Sequence, residues 1–158
     1  MNARRNSKDP ASLPQEWFDG LRLELKILWR GEGLTAAKLH SCPGLLSLRC
    51  LEAARQGGGS DERVHAALRF LESYLRSRAD FRRTVLRWCY AVDVDPPEKL
   101  GARLARVAVE LGIHPETVEK YRQEELTNLL HWIAGAEVDR RARSLPGRSS
   151  TLPPLSEP

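Results

Sequence analysis

The sequence predicts an all-α protein, a small multi-helix bundle. Three observations carry this: apolar residues recur at helical three- and four-residue spacing in successive stretches, no stretch alternates apolar and polar residues as a half-buried strand does, and glycine or proline separates the stretches. No internal repeat is visible.

The elements follow in chain order. Residues 1–11 are polar and basic without periodicity and are expected to form a disordered arm. Ser12-Leu-Pro-Gln15 opens the first helix, with Ser12 as cap, Pro14 in the early turn and Gln15 completing a capping box. Its apolar face is Trp17, Leu21, Leu25 and Leu28, widened by Phe18 and Trp29, and Gly31 and Gly33 end it. Thr35 caps a short helical stretch from Ala36 to Ser41, which Cys42-Pro43 stops. Residues 44–55 place Leu45, Leu48 and Leu51 near one face, and Gln56-Gly-Gly-Gly-Ser60 is a connection. It lacks the Lys-Ser or Lys-Thr and the preceding strand that a phosphate-binding loop needs.

Ser60 and Asp61 start an amphipathic helix with Val64, Ala67, Leu68, Leu71 and Leu75 inward. Asp80 is expected to cap the next, which carries Phe81, Val85, Trp88, Cys89 and Val92. The densest basic stretch, Arg76, Arg78, Arg82, Arg83 and Arg87, lies around this junction and reads as a solvated helix surface in preference to a phosphate-contacting patch. Four segments result: a basic arm (1–11), a helical scaffold (12–93), a two-helix unit (94–135), and a Pro-, Ser- and Arg-rich tail (136–158) expected to be disordered.

Composition narrows the function classes. The hydrophobic fraction of 41% and charged fraction of 29% are those of a globular chain, and no apolar run reaches membrane-spanning length. A charged start with no apolar stretch behind it sets the expectation of a cytoplasmic protein. Of 25 basic residues 20 are Arg, and the net charge of +4 is a mild invitation to a polyanion. Cys42, Cys50 and Cys89 contain no CxxC. A four-ligand metal site would need His40, Cys42 and Cys50 with either Cys89 or His65, and sitting among leucines the cysteines read instead as small buried hydrophobes. No cofactor, metal or catalytic site is expected, since His40, His65, His114 and His131 are scattered without nucleophile-base spacing.

The two-helix unit carries the most specific pattern. Asp95-Pro-Pro-Glu98 is a sharp helix start, after which Leu100, Leu104, Val107, Ala108 and Leu111 face inward. Gly112 ends that helix and a second begins at His114-Pro115, carrying Val118, Tyr121, Leu126, Leu129 and Ile133. Two helices crossing at a short turn need a small residue at their contact (Ala108), a glycine at the turn (Gly112) and a plug at the corner (Ile113). Leu104, Val107, Leu111, Val118 and Tyr121 complete this helix-turn-helix core.

The run Ala108-Val-Glu-Leu-Gly-Ile-His-Pro-Glu-Thr-Val118 resembles the DNA-binding units of sigma-factor region 4 and LuxR-type regulators, over about residues 100–133. That resemblance implies a small transcriptional regulator, with a second helix that enters the major groove and a first helix that crosses the phosphate backbone. It makes Arg103 and Arg106 candidate phosphate contacts and Glu116, Thr117, Lys120 and Gln123 candidate base contacts. This chain departs from the pattern in two places. His114 stands where the family has a capping serine, and within 114–126 four acids face two bases. DNA affinity rests on neutralising phosphates. The alternative is therefore a non-catalytic helical adaptor that turns the same unit on a protein partner; in the regulator reading helices 14–92 serve as a scaffold or as a homodimer surface.

Overall fold

The computed structural model describes residues 13–31, 33–51, 59–92 and 99–143. They form seven helices and no strand: α1 (Gln15–Ile27), α2 (Ala36–Leu39), α3 (Pro43–Leu46), α4 (Ser60–Ser77), α5 (Asp80–Cys89), α6 (Leu100–Leu111) and α7 (Pro115–Arg143). The all-α expectation is met. No described helix is long and apolar enough to cross a membrane.

Local chemistry accounts for the starts of two helices. Thr35 Oγ1 accepts from the Lys38 N–H at 3.2 Å, the predicted cap of α2. Glu62 accepts from the Gly59 N–H at 3.1 Å at the start of α4. Two caps fall elsewhere than expected. Helix α1 begins after Pro14 without a side-chain cap, and Gln15 hydrogen-bonds Asp19 one turn on instead. Ala79, not Asp80, is the N-cap of α5. Ser12, the glycine run at 57–58 and Asp95–Glu98 lie outside the described residues.

Helices α5, α6 and α7 pack on one another, α7 also lies along α1, and α4 joins α5 to the short helices α2 and α3. One apolar core runs through all of them, from Leu21, Leu25 and Leu28 of the α1 segment to Leu126, Leu129 and Ile133 of α7. Leu45, Leu48 and Leu51 are buried together as expected, although among the described residues the helix there is Pro43–Leu46. Trp132 of α7 stacks on Phe70 of α4 with ring centroids 4.6 Å apart. Phe81, expected inward, is 39% exposed and packs beside Tyr121 at the rim.

The expected boundary at residue 135 is corrected. Helix α7 runs unbroken to Arg143, so residues 136–143 belong to the fold and not to a tail. The reason is Glu137. Its buried carboxylate accepts the N–H groups of Arg49 and Cys50 at 3.1 and 3.0 Å and is paired with Arg141 one turn on. Glu24 does the same for the start of α3, accepting from Gly44 and Leu45 at 2.8 Å each. A carboxylate on a long helix thus holds each end of the 43–50 segment, with charge-assisted hydrogen bonds to backbone that would otherwise lack partners.

Candidate interaction face of the two-helix unit

The turn between α6 and α7 has the predicted geometry. Gly112 is left-handed (φ 65, ψ 37). The Ile113 N–H reaches the Ala108 carbonyl at 3.0 Å and the Gly112 N–H the Val109 carbonyl at 3.2 Å. These are the paired bonds of a Schellman ending. Val107, Ala108 and Val118 are buried at the crossing, while Leu104, Leu111, Ile113 and Tyr121 pack half-buried around it. His114, the departure from serine, serves as a cap: its Nδ1 accepts from the Glu116 N–H at 3.1 Å.

The charged candidates are rearranged. Arg103, expected on the solvent side of α6, is fully buried. Its Nε donates to the Trp88 carbonyl at 2.7 Å and its Nη1 to that of Gly31 at 2.6 Å, and Nη2 donates to Trp29 and Cys89. The guanidinium therefore closes the C-terminal ends of both α1 and α5, where unsatisfied carbonyls and the negative helix pole gather. Arg103 is not a surface cation, and the expectation that it contacts phosphate is corrected.

The basic stretch around the α4–α5 junction is divided: Arg76, Arg83 and Arg87 are exposed, while Arg78 and Arg82 are drawn inward. Arg78 makes a two-point contact with Glu125 of α7 at 2.9 and 3.1 Å. Arg82 bonds Glu125 at 2.9 Å and Glu124 at 3.0 Å. Asn128 also donates to Glu125, whose carboxylate has no solvent exposure. Arg83 donates to the carbonyls of Arg76 and Arg78 at the end of α4. Two of the five, Arg78 and Arg82, are thus neither solvated surface nor phosphate patch.

Four base-contact candidates remain on the first turns of α7. Glu116 and Lys120 are exposed, and Thr117 is half-buried. Gln123 is half-buried and donates to Glu119 at 2.9 Å. Burial alone would raise the Glu119 pKa, but hydrogen bonds from Gln123 and Arg122, and the Arg122 charge, hold it below the usual carboxylate range. Arg122 in turn lies over the Trp29 ring, 4.4 Å from its centroid.

The outer side of α6 is Gly101, Ala102, Ala105, Arg106, Val109 and Glu110, all exposed. Val109 is 84% exposed, the most open large apolar side chain among the described residues. Trp88 of α5 borders this face: its Nε1 donates to Glu110 at 3.1 Å and Arg106 lies over its ring at 5.9 Å. Together Trp88, Ala105, Arg106, Val109 and Glu110 line a shallow groove of about 350 Å³.

The thiols are passive. Burial pushes Cys42 up to about 11 and Cys50 and Cys89 up to about 12, with Glu24 adding to the effect at Cys42 and Glu137 at Cys50. Among the described residues no group of three His, Cys, Asp or Glu is arranged to hold a metal ion.

Comparison with known proteins gives no relative: no family model, curated protein or solved structure matches the chain.

Proposed function

We propose that this chain is a non-catalytic helical adaptor whose helix-turn-helix unit engages protein. The observation that carries the reading is the internal use of four arginines. Arg103 serves backbone carbonyls, Arg78 and Arg82 serve Glu125, and Arg122 serves Glu119 and Trp29. The helix that crosses the phosphate backbone in DNA-bound units of this kind instead presents alanines and an open valine beside a tryptophan. A contact face with one acid, one base and an apolar centre suits protein, whereas nucleic acid demands uncompensated positive charge. Raised thiol pKa values also speak against a cysteine nucleophile, since the thiolate is the reactive form.

The experiment is affinity capture with the full chain as bait, with and without nuclease. The reading expects a protein retained after nuclease and released by Val109→Asp. Retention that vanishes with nuclease contradicts it.

A second reading, a DNA-binding transcriptional regulator of the sigma-factor region 4 or LuxR type, is favoured by one observation. Glu116 and Lys120 project from the first turns of α7, where a recognition helix carries its base contacts. Lys120 and Glu116 then read base edges and Arg106 positions the backbone.

A further inference from the structure

We infer that the α6 face is a self-complementary dimer surface and that its occupant is a second copy of this chain. The inference rests on the protein-partner reading and names the partner.

The argument begins with spacing. Ala102, Ala105 and Val109 form the centre line of the exposed side of α6, and Arg106 and Glu110, one turn apart, lie along the flank next to Trp88. A closed two-fold contact requires that residue i meet j and j meet i. An antiparallel pairing of two α6 helices with the two-fold axis near residues 107–108 meets that requirement twice. It places Ala105 of each copy against Val109 of the other, a small residue opposite a larger one. It also leaves both flanks on the same side, so Arg106 of each copy faces Glu110 of the other. The small residues let two helix backbones approach, and the Trp88 rings close the charged edge.

Charge decides for a second copy over a nucleic acid. The face bears one base and one acid, arranged to be complementary to itself and neutral overall. Helix α6, with 12 residues, is about 18 Å long. A contact confined to one face of this helix is small, and the dimer is expected to be weak.

Sedimentation equilibrium of the full chain over a concentration series reaching about 1 mM tests the inference. The wild-type chain is expected to pass from monomer to dimer. Arg106→Glu and Glu110→Arg each set like charges against each other and are expected to weaken the dimer roughly tenfold or more. An equimolar mixture of the two variants restores oppositely charged pairs across the axis and is expected to dimerise again. Circular dichroism checks that each variant is folded, and Val109→Asp serves the same test should a charge variant fail to fold. A chain that stays monomeric throughout overturns the inference. So does a dimer indifferent to these variants, or a mixture no stronger than its components. A monomeric wild type leaves the protein-partner reading standing; that reading fails separately, through nuclease-sensitive capture.

Discussion

The Nε of Arg103 in α6 donates to the carbonyl oxygen of Trp88 at the end of α5, at 2.7 Å. The same guanidinium holds carbonyls of Trp29 and Gly31 beyond α1. One side chain therefore ties the two-helix unit to the first helix of the chain across more than 70 residues of sequence. Arg103→Met removes the donors and leaves buried carbonyls unpaired. It is expected to cost about 3–5 kcal/mol in urea unfolding. Arg106→Ala, on the exposed side of the same helix, is expected to cost less than about 1 kcal/mol. Equal costs for the two would contradict the assignment of Arg103 to the core.

Glu125 is the matching anion on α7. Its carboxylate is unexposed and bonds Arg78, Arg82 and Asn128. Glu125→Gln loses the charge while keeping the size, and it is expected to destabilise by about 3 kcal/mol, since Arg78 is left without a counter-charge and Arg82 keeps only Glu124. The loss is expected to change little between low and moderate salt because buried pairs are weakly screened. Surface pairing would instead give a small loss that shrinks with salt.

Two glycines with positive φ separate conformational strain from crowding. At Gly112 (φ 65) an added Cβ meets nothing within 4 Å. At Gly33 (φ 89) it would lie 2.5 Å from both the Tyr90 carbonyl oxygen and the Ala91 Cβ. Gly112→Ala is expected to cost about 1 kcal/mol, the left-handed backbone alone. Gly33→Ala adds a clash with backbone and is expected to cost clearly more, about 3 kcal/mol or above. Thermal melts of the two variants decide whether the α1 and α5 ends meet as closely as described.

Thiol burial sets an alkaline limit. The folded state holds Cys42, Cys50 and Cys89 as thiols at about 11 to 12, against 9.0 for an ordinary thiol, chiefly through burial. A group whose folded pKa lies above its unfolded value binds more protons when folded, so its contribution is complete below pH 9.0 and is lost as pH rises towards about 12. The urea midpoint is therefore expected to be lower at about pH 10.5 than at pH 8. Replacing Cys89 by Ala reduces that difference. An unchanged midpoint would contradict the burial of the thiols.

Much of this architecture is legible in the amino-acid sequence, and the illegible part has one cause. Helical periodicity places α1, α4, α5 and α6, and the requirements of a tight turn place Gly112 and Ile113. Charged residues are the difficulty, because a charge is assigned to solvent by default. Yet Arg103 lies one turn before Val107, and Glu125 and Glu137 fall in phase with the apolar stripe of Val118, Leu129 and Ile133. That phase is the available signal: a charge on an apolar line needs a buried partner. The long-range partners of Glu125 and Glu137 lie 43 to 88 residues away, and no local pattern pairs them. The same default ended the last helix too early, since Glu137 and the arginines after it read as a polar tail. It also made Arg103 a phosphate contact.

The central claim is the proposal that, with Arg103 and Arg122 committed to the fold, the outer face of the unit serves a protein contact. Its most direct test is a DNA titration of the full chain at several salt concentrations, against the Lys120→Ala and Arg106→Ala variants. The account predicts weak binding without sequence preference, with no loss of preference on Lys120→Ala. Tight, sequence-selective binding that loses its selectivity with Lys120→Ala and weakens on all sequences with Arg106→Ala would contradict it.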